Sequence, residues 1–283
     1  MTTTASKSVT AAIRTRRRID PGLASAIVLT ALFALAAIAP SVLATADPTA
    51  QGFTDALRPP SFAHWFGTDE AGRDLYSRVI YGTRESLLIG IGAAGLALVA
   101  ALILGSLAAL GDRFTSAVVS RGIEVVFAFP ILLLALLLVS ILGASAWTQV
   151  IAVGVSTAPG YARMVRGQIL AAKNAGYVEA ARALGHRPGR ILTQHVLPNA
   201  IRPLVAVFTM AVGQSIVWAS GLAFLGLGVA PPSSEWGALL DAGRAYILQA
   251  PWLIFVPGLV ILVLALTATS LGKHIQNSLE KGE

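Results

Sequence analysis

Long apolar runs separated by short polar segments organise this chain. Six runs reach the ~20 residues a helix needs to cross the hydrocarbon core of a bilayer. They cover 23–45, 86–110, 120–143, 147–168, 201–228 and 251–272. The pattern predicts an all-α integral membrane protein with six transmembrane helices. The fourth run carries Ser156, Thr157, Pro159 and Gly160, interruptions that are tolerated where neighbouring helices cover the freed backbone groups. The expected organisation is a basic tail at 1–22, a first span at 23–45 and a polar loop at 46–85. A five-helix block at 86–272 follows, with a polar insert at 170–200, and then a tail at 273–283.

Composition supports lipid as the solvent. Hydrophobic residues make up 55% of the 283 positions and charged residues 12%, against about 25% charged in soluble domains. Mean hydropathy is +0.72. With no cysteine in the chain, disulfides, thiolate metal sites and thiol nucleophiles are excluded. A net charge of +7 raises nucleic acid as a partner, but the placement of the charges follows membrane topology instead. With the N-terminus in the cytoplasm, sixteen of the 21 Lys and Arg fall on the inside. Only Arg58, Arg73, Arg78, Arg84 and Arg244 fall outside. By the positive-inside rule both termini and the polar insert are cytoplasmic. The start of the chain mimics a secretory signal, with Ala44-Thr45-Ala46 in the place of a cleavage site. Its apolar run is longer than a signal core, so it is read as a retained span.

The polar insert contains Glu179 to Asn199, EAARALGHRPGRILTQHVLPN. Tyr177 to Leu184 is rich in helix formers, and Gly185 stands where a left-handed C′ residue ends a helix. Pro188 suits a new first turn. The segment reads as helix, glycine turn, helix. Ala180 and Ala181 are small enough for a partner backbone to approach, and Glu179 and Arg182 can share a face. A solvated connector between two spans has the same composition.

The motif Glu179-Ala180-Ala181, Gly185 and Leu197-Pro198 resembles the EAA loop of ABC importer permeases. His195 to Asn199, H-x-L-P-N, is similar to the peptide and nickel subfamily. Three further stretches resemble dipeptide/oligopeptide permeases of the C type: His64 to Leu87, Phe224 to Gly237 and Ala250 to Gly258. His186-Arg187-Pro188 departs from the family, which often has a small polar cap there, and the tail lacks its acidic ending.

The resemblance implies a type I, MetI-like permease fold in a bacterial plasma (inner) membrane. It implies import of di- or oligopeptides by alternating access, with nickel or another small solute as the alternative cargo. The partners implied are a sister B-type permease chain, one or two cytoplasmic ABC ATPase subunits and an extracytoplasmic substrate-binding protein. The loop would be the coupling helix. Glu179 and Arg182 lie on it, with Glu179 a polar contact to the ATPase and Ala180 and Ala181 the close-packed surface. Gly185 would be the turn, and Leu197 and Pro198 the anchor to the next span.

The chain carries no phosphate loop and no H-E-x-x-H, so no enzymatic role and no cofactor of its own are expected. ATP and Mg belong to the partner ATPases. Asp69, Glu70 and Asp74 lack the spacing of a calcium loop, and that outer loop is read as packing on the sister chain or the binding protein. Trp236 to Leu248 is read as a short lateral helix, at the pore mouth or anchored in the interface. Glu124, one helical turn past Arg121, is read as an interfacial ion pair. A self-sufficient secondary transporter should show midplane ionisable groups or inverted repeats, and neither is evident.

Overall fold

The computed structural model describes residues 21–280. The basic tail before Pro21, with Lys7 and Arg14 to Arg18, lies outside the described residues, as does Lys281. Among the described residues the regular elements are helices, apart from one antiparallel bridge between Thr68 and Asp74.

Proline and capping residues set the boundaries. α1 (Pro21–Ile38) stops short of the expected 45, and α2 (Pro40–Leu43) follows as a separate turn. Pro40 has no N–H and disfavours the helical conformation in the residue before it, so Ala39 sits at φ −131°, ψ 64°. α3 (Leu75–Leu110) begins eleven residues before the expected 86, because Asp74 caps it by accepting from the Ser77 N–H at 2.9 Å. The 46–85 segment is therefore loop only to Asp74. The expected single span at 120–143 is two helices, α4 (Arg113–Phe127) and α5 (Ile131–Leu142), bent by 89°. Pro130 occupies the N-cap of α5 and breaks the run.

α6 (Ala146–Lys173) passes through Pro159 without a break. Pro159 and the neighbouring Ser156, Thr157 and Ala158 are all buried, and Thr157 bonds back to the Val153 carbonyl at 2.8 Å. α7 (Gly176–Ala183) and α8 (Pro188–Ile191) form the polar insert. A π-helical turn (Leu192–Val196) leads into α9 (Leu197–Leu222). Another follows it (Ala223–Leu227), then α10 (Trp236–Arg244) and α11 (Trp252–Glu280).

Among the described residues four helical stretches are long and apolar enough to cross a membrane: 21–38, 75–110, 188–227 and 252–279. The bent α4–α5 pair makes a fifth if it is one span. α6 has the length, at 28 residues, but is more polar.

Helix association in lipid depends on close packing, since lipid tails are as apolar as the helices. Along α3 the residues Ala93, Ala97 and Ala101 are fully buried. They make a small-residue track on which α6 lies. The two helices run parallel, with α6 Gly154 against the Ala93 carbonyl and α3 Gly105 against the Ala162 carbonyl. A Cβ on Gly105 would stand 2.8 Å from that carbonyl and from Val165 Cβ. α9 closes on α11 in the same way, with Gly213 facing Ala265 and Ala268.

Gly105→Val should therefore overpack the α3–α6 contact at a cost of about 1–3 kcal/mol, lowering the thermal midpoint of the detergent-solubilised protein. Gly95→Ala, at a site with nothing within 4 Å of the new Cβ, should leave that midpoint unchanged or raise it.

Candidate functional site

The insert between α6 and α9 folds back against one end of the helix bundle. Val178 and Ala181 of α7 are buried in one cluster with Ala108 of α3, Ile123 of α4, Ile169 of α6 and Leu204 of α9. Ile191 and Val196 complete the anchorage. The opposite side of α7 is open. Tyr177, Ala180 and Leu184 are exposed at helical spacing, Leu184 by 77%. An exposed leucine two turns from a partly exposed tyrosine gives this polar helix an apolar stripe that the described residues leave open.

The end of α7 is a Schellman turn. Gly185 N–H donates to the Arg182 carbonyl at 2.9 Å and His186 N–H to the Ala181 carbonyl at 3.1 Å. Gly185 adopts φ +76°, a conformation in which a Cβ is strained. No atom lies within 4 Å of a Cβ placed there, so the constraint is conformational rather than steric.

The expected loop residues divide into two groups. Glu179 and Ala180 are exposed, and Glu179 lies in the first turn of α7, where the helix dipole favours a negative charge. Ala181 packs into the chain's own interior. Arg182 borders a cavity of about 470 Å³ beneath the loop. Leu197, half-buried, and Pro198 open α9.

At the other end of the helices lies a polar clamp that the sequence reading missed. Asp69 Oδ2 accepts from Arg73 Nε at 2.7 Å and from Arg78 Nη1 at 2.6 Å, with all three residues buried. Arg73 also reaches Glu70 at 2.8 Å, and Asp74 takes His64 Nδ1 at 3.0 Å. These carboxylates, considered above as cation ligands, are engaged by guanidinium and imidazole groups. Arg78 Nη2 continues to the Ser233 carbonyl at 2.8 Å, tying α3 to the segment before α10.

Glu235, fully buried, caps α10 by accepting from Gly237 and Ala238 N–H, and it takes Ser86 Oγ of α3 at 3.2 Å. Trp236 Nε1 donates to the Val79 carbonyl at 2.9 Å. The signals were present locally, in Asp74-x-x-Ser77 and in Glu235 before Trp236. Nothing in the sequence paired residues some 150 positions apart. α10 matches the expected lateral helix, ending at Arg244 rather than Leu248. Arg121 and Glu124 pair at 3.2 Å as expected.

Residues 101–281 match the family model for the binding-protein-dependent transport system inner membrane component. The chain is 35% identical over 254 residues to the dipeptide transport system permease protein DppC of Alkalihalophilus pseudofirmus, covering 90% of this chain and 83% of that one. It is 36% identical to the probable D,D-dipeptide transport system permease protein DdpC of Escherichia coli, over 92% and 88% of the two chains. It is 39% identical to the glutathione transport system permease protein GsiD of Pectobacterium atrosepticum, over 78% and 73%. Among solved structures it resembles an inward-facing form of the MetNI methionine ABC transporter. The TM-score is 0.59 at 20% identity, over 71% of this chain and 96% of that one. An amino acid ABC transporter with histidines gives 0.56 at 18%, over 73% and 94%. At such identities the likeness is one of fold.

Asp69→Ala should strand the buried Arg78 charge and destabilise the protein by about 3–5 kcal/mol, read as loss of monodisperse protein on heating in detergent. Burial pushes the Glu235 carboxyl above its ordinary range, opposed in part by the Gly237 and Ala238 N–H donors. The folded chain thus holds this proton more tightly than the unfolded chain. The contribution of Glu235 to stability is complete below its unfolded pKa and is lost as pH rises through the folded pKa. Replacement by glutamine, Glu235→Gln, should remove that part of the pH dependence of the thermal midpoint.

Proposed function

The chain belongs to the binding-protein-dependent transport system inner membrane component family, and from that premise we propose that it is the C-type half of an ATP-driven peptide importer. As a permease subunit in the inner membrane it is not itself catalytic, and ATP is hydrolysed by a partner subunit. The observation that carries the mechanism is the two-faced helix α7. Its Val178–Ala181 side is fixed to the ends of the spans, and its Tyr177–Ala180–Leu184 side is free for a partner.

In this reading α7 is the coupling helix of the 170–200 loop. Glu179 and Ala180 contact the ATPase together with Tyr177 and Leu184. Ala181 joins the helix to the span bundle, and Arg182 lies at the loop's rim. Gly185 lets the chain reverse, and Leu197 and Pro198 fix the exit into α9. Movement imposed on α7 reaches α3, α4, α6 and α9 together, because all four share one packed cluster with it. That is the requirement for alternating access driven from the cytoplasm.

The topology proposed is six spans, with α4 and α5 together as the third, α6 as the fourth and both termini cytoplasmic. The 86–272 block would be the transporter domain. α3 and α6 run parallel, which requires one crossing between them, and the bent pair supplies it. Arg113, Arg121, Lys173, Arg182, Arg187 and Arg190 then lie inside, in accord with the charge rule. The substrate assignment is supported by relatives named for dipeptides, D,D-dipeptides and glutathione, all of which present peptide-like amides. A B-type sister chain, the ATPases and an external binding protein complete the machine.

The test is ATP-dependent uptake of a labelled dipeptide into proteoliposomes holding the complex and its binding protein, with nickel in parallel. Uptake of peptide is expected. Uptake of nickel alone would overturn the substrate, and uptake by this chain alone on an ion gradient would overturn the mechanism. In the same assay Gly185→Val, which forces a β-branched residue to positive φ at a cost of about 1–2 kcal/mol or more, should lower uptake about tenfold or more. Gly185→Asn should retain most of it. Normal transport by the valine variant would remove α7 from the mechanism.

A further inference from the structure

The cavity of about 470 Å³ beneath the polar insert has two kinds of wall. Leu110, Val178, Ile191 and Val196 make an apolar interior, while Lys173, Arg182 and His186 bring basic groups to it. His186 Nδ1 is buried and has no hydrogen-bond partner. The His195 ring stacks on His186 at 6.0 Å, nearly parallel. The acidic residues nearest in sequence, Asp112 and Glu179, do not line the cavity. Asp112 is engaged as the cap of α4 through the Thr115 N–H.

The height of the cavity in the membrane follows from α3. Its uninterrupted apolar stretch, 86–110, has the length that fills a hydrocarbon core. Leu110 therefore stands at the inner boundary, and Gly111-Asp112-Arg113 enters the headgroup layer. Lys173 ends α6 at the same level, as the shared cavity shows. A site half apolar and half cationic at this depth matches an amphiphile. A water-soluble anion would gain nothing from the apolar walls, and a metal ion would be repelled by Lys173 and Arg182.

We propose that this cavity binds one anionic phospholipid of the inner leaflet, its phosphodiester held by Lys173, Arg182 and His186 and part of an acyl chain lying against the half-buried Leu110 and Leu192. Basic pockets on the cytoplasmic side of membrane helices hold anionic headgroups by this combination of charge and depth. Such a lipid would brace α7 against the bundle from below. The inference rests on the membrane location of the chain and holds whether or not α7 couples to an ATPase.

The experiment is a titration of the purified complex with dioleoyl phosphatidylglycerol or dioleoyl phosphatidylcholine, with bound lipid counted by native mass spectrometry. One saturable site preferring phosphatidylglycerol is expected. The pair Lys173→Gln/Arg182→Gln should weaken it about thirtyfold, at the surface value of a basic residue for anionic lipid. Lys173→Arg/Arg182→Lys should retain it, which separates lost charge from a disturbed fold. Arg187→Gln/Arg190→Gln, the same charge change on the same loop at residues that do not line the cavity, should weaken it at most about threefold.

Equal weakening in that second pair, or no preference over phosphatidylcholine, would overturn the proposal. Displacement by glycerol 3-phosphate at matching concentrations would also overturn it, by assigning the site to a soluble anion. So would binding only after the ATPase subunits are stripped away, since the cavity would then belong to their interface.

Discussion

The contact between α3 and α6 is the one on which the other features depend. Lipid offers no hydrophobic gain for helix pairing, so two helices stay together only where their backbones approach closely. The buried alanines of α3, with Gly105 and Gly154 set where Cβ atoms would strike carbonyls, allow that approach. α9 reaches α3 and α6 through the cluster of Ile89, Ala93, Ala152, Val153, Ala219 and Leu222. α7 rests on the far ends of the same helices. A displaced α6 would move α7 with it.

The two polar ends of the bundle are built differently. At one end the buried charges are held in close contacts: Asp69 holds two arginines, Glu235 caps its own helix and takes Ser86 of α3, and Trp236 reaches the Val79 carbonyl. Charges this far from water persist only with partners in good geometry, so this end is a rigid clamp. The end at α7 leaves Glu179, Arg182, Arg187 and Arg190 exposed, together with the apolar Tyr177 and Leu184. Its order comes from Val178 and Ala181 beneath, since an eight-residue helix is marginal alone. One end clamped by charge pairs and the other held by side-chain packing suit the coupling role proposed for α7.

The sequence by itself determined the solvent, the helical class and the helix–glycine–helix form of the insert. Each follows from local physics: apolar length, and the one residue type that favours positive φ at Gly185. The family motif was equally legible, because its residues lie within twenty positions of one another. Tertiary structure alone decided the rest. Ala180 and Ala181 are adjacent and identical, yet one faces water and the other the core, because a helix turns about 100° per residue and the span ends occupy one side. Proline at 159 lies inside a buried helix while prolines at 40 and 130 mark breaks, so flanking contacts settle what an identical residue does. The pairing of Arg78 with Ser233, and of Ser86 with Glu235, joins positions about 150 apart. No local pattern encodes such a pairing, because it arises only when α3 and the segment before α10 have packed.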